Sequence, residues 1–148
     1  MVKCAAIDDL NEIVNLVMKY RDFYGVHNQS REEVESFIRD RITNDQSKIF
    51  IAIDVNGHGI GFIQLYPSYS TVSLKPQWVL NDLYVEEDYR KQGIGTELMN
   101  AVKEYFSDKA KGFILVTDKE NHTAKSFYDN NGWETGEYDF YTYYYKRG

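Results

Sequence analysis

Leu80-Asn81-Asp82-Leu83-Tyr84-Val85-Glu86-Glu87-Asp88-Tyr89-Arg90-Lys91-Gln92-Gly93-Ile94-Gly95-Thr96 runs from a β-type segment through a charged, glycine-bearing turn into the start of a helix. The order matters more than the glycines do. A helix that begins just after a strand offers its unpaired first-turn N–H groups and the positive end of its dipole to an anion, and glycine lets that anion approach the backbone. A phosphate fits such a turn. Leu98 stands where a dinucleotide fingerprint would carry its third glycine, and no Gly-Lys-Ser/Thr of a nucleotide-triphosphate loop follows. The residues alone also allow a plainer reading, in which Gly93 and Gly95 only shape a tight turn and Arg90 and Lys91 are solvated. Gly57, Gly59 and Gly61 imitate the same spacing, but they read as turn residues because no helix follows them.

Working outward, Ile94 opens a helix with Leu98, Met99, Val102, Tyr105 and Phe106 on one face, ending near Ser107. Before the motif, Val2 to Ile7 reads as a first strand. Asp8-Asp9 then offers capping chemistry to a helix carrying Leu10, Ile13, Val14, Val17 and Met18, expected to end near Tyr20. Arg21 to Gln29 reads as an aromatic and polar loop. Ser30 with Glu33 forms a capping-box signal for a second helix that buries Val34, Phe37, Ile38 and Ile42. Ile49–Ile53 and Ile60–Leu65 are β-rich runs joined by Asn56-Gly57, a strong hairpin signal. Pro67 to Pro76, rich in Ser and Thr, reads as a surface loop before a strand from Trp78 to Val85. Gly112 to Thr117 is a further strand, Thr123 to Asn130 a short helix, and Gly136 to Tyr145 a last, heavily aromatic strand. This order of strands and helices predicts an α/β fold, a mixed sheet flanked by helices, in one domain spanning 1–148.

Composition removes several function classes. The 148 residues carry 17 Lys+Arg against 23 Asp+Glu, a formal charge of −6, which opposes non-specific binding to nucleic acid or anionic membranes and suits cationic partners. No apolar run approaches the ~20 residues that span a bilayer, and the N-terminal sequence lacks the apolar core of a secretion signal. A cytoplasmic location is expected. The single cysteine, Cys4, has no internal disulfide partner and is expected to be buried. His27, His58 and His122 are widely spaced, so no metal is expected.

A second constellation is Asn121-His122-Thr123-Ala124-Lys125-Ser126-Phe127-Tyr128-Asp129-Asn130-Asn131-Gly132-Trp133, a short helix with a left-handed stop. Ala124, Phe127 and Tyr128 share one helix face, and on its own Tyr128 reads as a packed tyrosine. Together the two segments carry a resemblance. Arg90-Lys91-Gln92-Gly93-Ile94-Gly95 resembles the Arg/Gln-x-x-Gly-x-Gly/Ala pyrophosphate loop of the GNAT superfamily of acetyl-CoA-dependent N-acetyltransferases, and Asn121 to Trp133 resembles its Asn-x-x-Ala-x-x-Phe-Tyr-x-x-x-Gly-Phe/Trp segment. They stand in the family's order and separation, and the element order resembles the family over essentially the whole chain. Leu80 to Val85 is similar to the central splayed strand of its diamine, polyamine and histone-type branches.

The resemblance implies an α+β sheet of six to seven strands, mostly antiparallel, with about four helices and a splay between the fourth and fifth strands. It implies acetyl-CoA as co-substrate, with the diphosphate on the backbone of Gln92, Gly93, Ile94, Gly95 and Thr96, and Arg90 and Lys91 adding charge. The arm of the cofactor would pair with Leu83, Tyr84 and Val85 and be lined by Asn121 and Ala124. Tyr128 matches the residue that gives a proton to the departing sulfur. Asp82 resembles an acidic position that contacts the amine, and Asn81 stands where relatives often carry glutamate. Strand alternation equally allows either side chain to point away from the site. Tyr20, Phe23 and Tyr24 would wall an acceptor pocket or pack in the core, and Tyr24 is taken as the substrate contact.

The reading is an N-acetyltransferase acting on a small cationic primary amine by direct attack, since Cys4 is the only thiol, lies in the first strand, and nothing places it beside a base. The alternatives are acetylation of a protein lysine or N-terminus, or a non-catalytic acyl-CoA-binding module. The aromatic tail Tyr138 to Tyr145 suggests a partner surface, and a homodimer is expected.

Overall fold

The computed structural model describes residues 1–110, 112–117 and 120–134. They fall in two compact units, Met1–Val116 and the residues from Thr117 onward. The first holds β1 (Val2–Cys4), α1 (Leu10–Phe23), α2 (Arg31–Thr43), β2 (Lys48–Ile53), β3 (Gly59–Ser70), β4 (Lys75–Val85), α3 (Ile94–Phe106) and β5 (Phe113–Ile114); the second holds α4 (His122–Asn130). The sheet order is β1-β2-β3-β4-β5, antiparallel throughout except for the parallel β4–β5 pair.

Helices cover both sheet faces. Ile13, Val14 and Val17 of α1 and Val34 and Ile38 of α2 close over Ile49, Ile51 and Phe62, a core built from the helical and alternating periods read in the sequence. On the other face α3 buries Leu98, Met99, Val102 and Phe106, and the Phe106 ring lies 4.7 Å from Trp78 and 6.5 Å from Phe50. Each of those burials contributes roughly 1.5–3 kcal/mol. They hold the start of α3 against the end of β4. Ser30 caps α2, its Oγ accepting from the Glu33 N–H at 3.2 Å, as its spacing predicts. Gly57 turns the β2–β3 hairpin at φ +85°.

Several expectations need correction. The segment Pro67 to Pro76 is not a loop. It is the outer arm of the β3–β4 hairpin, with Pro67 opposite Trp78 and Tyr69 opposite Pro76. Its Ser, Thr and Pro content hides a strand because β2 stops at the partner of Leu65, so from Tyr66 on β3 has β4 as its paired neighbour and a missing proline donor is tolerated at that edge. Helix α1 runs through Phe23, one turn past Tyr20, because the Tyr20, Phe23 and Tyr24 rings pack edge to face at 5.1–5.3 Å. The first strand stops at Cys4, since Asp9 accepts the Ala6 N–H at 2.8 Å and bends the chain into a helical turn. Cys4 is exposed, not buried. The strand read over Gly112 to Thr117 shortens to Phe113–Ile114. Among the described residues the sheet has five strands and the fold four α-helices, not the six to seven strands expected, and the expected strand Gly136 to Tyr145 lies outside the described residues. Also among them, no helix is long and apolar enough to cross a membrane.

Candidate functional site

Two features of β4 shape the site. Its pairing with β5 ends at Trp78 and Val79, so among the described residues Leu80–Val85 have no strand on that side. This is the divergence expected between the fourth and fifth strands, and it leaves backbone N–H and C=O groups open on one edge. The second feature is a bulge. Gln64 pairs with Asp82 while Leu65 pairs with Leu80, so Asn81 is the extra residue. In a regular strand Leu80 and Asp82 would share a face; the bulge puts them on opposite faces and brings Asn81 to the side of Asp82. Leu80 is buried with the apolar interior, whereas Asn81 and Asp82 reach a cavity on the α1/α2 side.

That cavity, about 480 Å³, lies between α1, α2, β3 and β4. Tyr20, Phe37 and Phe62 contribute an apolar wall, and Gln64, Asn81 and Asp82 make a polar end. Asp82 Oδ2 accepts from Gln64 Nε2 at 2.9 Å and from Asn81 Nδ2 at 3.0 Å. Tyr66 also lines the space, its phenol pushed up to about 12 by burial and by the charge of Asp82, so it stays neutral and able to donate at physiological pH. Tyr24 is not among the lining residues. It sits 61% exposed at the end of α1, and Tyr20 takes the place expected of it. Sequence reasoning missed Gln64 and Tyr66. A signal for Gln64 existed: it is the one polar side chain in the apolar run Ile60 to Leu65.

At the C-terminal end of β4 the chain enters the glycine turn. Arg90 is not simply solvated: its Nε donates to the Val85 carbonyl at 2.9 Å, and the guanidinium lies 5.4 Å from the Phe23 ring and 5.7 Å from that of Tyr84. Glu86 pairs with Lys19, and Gln92 Nε2 donates to the Asp88 carbonyl at 3.0 Å. Lys91 and Gly93 both adopt left-handed backbone, at φ +63° and +83°. The first helical bond runs from the Glu97 N–H to the Gly93 carbonyl, and no side chain caps the helix. The N–H groups of Ile94, Gly95 and Thr96 therefore start α3 without helical partners. A Cβ built on Gly93 would meet nothing within 4 Å, so the space beside the turn is open.

In the second unit, Asn121 caps α4, its Oδ1 accepting the Ala124 N–H at 3.1 Å. Tyr128 is half-buried, with its ring 5.4 Å from Phe127 and 5.6 Å from Trp133 in edge-to-face contact. Gly132 stops the helix at φ +85°. Among the described residues no group of three or more His, Cys, Asp or Glu is placed to hold a metal ion.

An open-edged bulged strand leading into an uncapped helix is matched by the sequence model of the Acetyltransferase (GNAT) family, which covers residues 11–133. The chain belongs to that family. An N-acetyltransferase of Bacillus subtilis strain 168, YhfO, whose name marks it as uncharacterized, is 39% identical over 134 residues, 90% of this chain and 89% of the relative. A probable acetyltransferase of Haemophilus influenzae is 30% identical over 117 residues, 79% of this chain and 74% of the relative. Among solved structures, that of a probable acetyltransferase superposes with a TM-score of 0.91 at 31% identity, covering 100% of this chain and 99% of the other. An aminoglycoside acetyltransferase from an uncultured soil metagenomic sample shares the fold, with a TM-score of 0.83 at 21% identity, covering 99% and 96%. The protein is a GNAT acetyltransferase, an acyltransferase of a family whose members use acetyl-CoA as co-substrate. These likenesses do not single out the diamine, polyamine or histone-type branches.

Proposed function

We propose that the protein transfers the acetyl group of acetyl-CoA to a small cationic primary amine by direct attack within a ternary complex. The observation that carries this reading is the carboxylate of Asp82, held at the bulge of an open-edged strand inside a cavity of small-molecule size. The residues present fit the co-substrate. The N–H groups of Ile94, Gly95 and Thr96, the open space beside Gly93 and the cationic Lys91 suit a diphosphate. When bound, acetyl-CoA supplies an activated acyl group on a thiol leaving group.

The chain's own residues then have separate tasks. Backbone donors on the open edge of Leu83, Tyr84 and Val85 can pair with the arm of the co-substrate. An N–H aimed at a developing oxyanion commonly lowers a barrier by roughly 3–4 kcal/mol. Asp82 draws in the ammonium form of the acceptor and orients it; since an alkylamine titrates near ~10.4, one proton passes to solvent before attack, and the second, shed from nitrogen as the amide forms, replaces the one that Tyr128 gives to sulfur. The Tyr128 hydroxyl donates to the departing sulfur. A phenol near ~10 gives up a proton to a thiolate near ~8.5 at a cost of about 2 kcal/mol.

The test is steady-state thiol release from acetyl-CoA over diamines, polyamines, arylalkylamines, amino acids, aminoglycosides and lysine peptides, for wild type and Tyr128→Phe. The expected result is turnover on small amines, with kcat reduced about 10²- to 10⁴-fold in the variant and the acetyl-CoA KM near wild type. Turnover confined to lysine peptides would replace the small-amine acceptor with a protein one. A Tyr128→Phe enzyme with wild-type kcat would remove the proton-donor role.

A further inference from the structure

Packing alone does not explain the placement of Gln64. It is 3% exposed in the middle of β3, between Ile63 and Leu65, which are fully buried. Its Nε2 donates to Asp82 Oδ2, while its Oε1 is buried with no hydrogen-bond partner. The carboxylate fixes this orientation, because an ionised carboxylate only accepts and the amide must turn its NH₂ toward it. The price is an orphaned carbonyl in the core, a standing loss of stability that an apolar side chain of the same shape would not carry. Asn81 donates to the same oxygen, so both donors converge on Oδ2 and no described residue donates to Oδ1.

We propose that Gln64 is a positioning residue for the acceptor amine: held from the core by Oδ2, the Asp82 carboxylate keeps Oδ1 for the ammonium group of a primary amine with an apolar body. This rests on the reading of the cavity as the acceptor site and adds a residue and a substrate shape to it. The apolar body follows from the walls: Tyr20, Phe37 and Phe62 surround the space beyond the polar end. The other charged or titratable groups facing Asp82 are few. Tyr66 from β3 is neutral at physiological pH, Arg21 from α1 is tied to Gln29, Glu33 from α2 lies at the cavity's helical side, and Tyr20 from α1 adds a phenol.

The experiment uses the full chain as wild type, Gln64→Met and Asp82→Asn, with acetyl-CoA and two probe amines, 2-phenylethylamine and 1,4-diaminobutane. Gln64→Met keeps the volume, removes the donor to Asp82 and removes the orphaned carbonyl. Its kcat/KM for 2-phenylethylamine should fall about tenfold or more, the loss of one hydrogen bond to a charged group. The acetyl-CoA KM should stay within twofold of wild type, and the melting temperature should equal or exceed it. The loss should sit in the KM for the amine more than in kcat, because the carboxylate loses the donor that orients it toward the acceptor. Wild type should prefer 2-phenylethylamine to the dication. A merely structural Gln64 predicts the opposite pattern: a lower melting temperature with no selective rise in the KM for the amine. Loss of activity in Asp82→Asn with wild-type kinetics in Gln64→Met overturns the inference and leaves the acceptor site standing. Unchanged transfer in Asp82→Asn, or no transfer to either probe by wild type, removes the acceptor site and the inference with it.

Discussion

Lys91 and Gly93 stand two residues apart in the same left-handed region, at φ +63° and +83°, and substitutions at the two should act in opposite directions. A Cβ on Gly93 touches nothing within 4 Å, so Gly93→Ala meets no clash and its cost is conformational alone. Holding an L-residue in this region costs about 1–2 kcal/mol. Alanine also stiffens the unfolded chain, which returns part of that, about 0.4–1 kcal/mol. At the middle of each range the net is a loss of about 0.8 kcal/mol, or roughly 2–3 °C in melting temperature for a chain of this length. Lys91→Gly runs the same arithmetic backwards and should gain a similar or smaller amount. The functional readings separate further. If the Gly93→Ala turn relaxes to negative φ, the peptide planes that start α3 swing away, and the acetyl-CoA KM should rise about tenfold. Lys91→Gly keeps the planes and removes one exposed charge, worth about 0–1 kcal/mol, so KM should rise about fivefold at most and less at high salt. Thermal melts and acetyl-CoA titrations on both variants decide the matter. A Gly93→Ala protein that melts with wild type and keeps its KM, or a Lys91→Gly protein less stable than wild type, would refute the assignment of backbone strain to this turn.

Two other outcomes follow from the rest of the molecule. Tyr66 is pushed up to about 12 by burial and by Asp82, so the folded state holds its proton above the ordinary phenol range; its contribution to stability is complete below pH ~10 and is lost as pH rises toward 12. Denaturant melts between pH 9 and 12 on the order of one unit apart should show a shallower alkaline loss for Tyr66→Phe than for wild type, and parallel curves would contradict the direction of the shift. The homodimer proposed from the aromatic segment Tyr138 to Tyr145 predicts a light-scattering mass twice the 17.4 kDa of one chain at micromolar concentration, and a mass of one chain would dispose of it.

The sequence was most informative where one period ruled an element. The apolar face of α3, the Ser30 cap and the Asn56-Gly57 turn are each fixed by local chemistry, and each stands where it was read. It was least informative where pairing outranked composition. The hairpin arm from Tyr66 to Lys75 is polar and proline-bearing, and only its register with β4 makes it a strand. The candidate site shows both cases. The glycine turn of α3 was legible because it follows its own strand within a few residues. The face of Asp82 was not, because alternation counted from Leu80 places both on one side and nothing in the sequence marks Asn81 as the extra residue. Tyr20 was mistaken for the end of its helix and Tyr24 for the pocket residue, since one more turn of α1 decides which ring reaches the cavity.

The bulge also accounts for how one strand could serve both ligands of the proposed reaction. A strand paired on both edges spends all its backbone groups on neighbours, and a regular one commits alternate side chains to two fixed faces. Among the described residues, β4 is released from the first constraint from Leu80 on, where its pairing with β5 has ended, and from the second by the extra residue Asn81. The backbone of Leu83–Val85 is then available to a co-substrate along its open edge, while Asn81 and Asp82 turn together into the cavity on the α1/α2 face. The charge so placed needs an anchor that the bulge itself cannot give, since Asn81 is exposed. Gln64 provides it from the neighbouring strand, directly opposite Asp82 in register and buried enough to keep its own geometry. The orphaned Gln64 carbonyl and the Asn81 bulge are then two halves of one arrangement: the bulge frees the carboxylate to face the cavity, where the acceptor is proposed to bind, and the buried amide keeps it there.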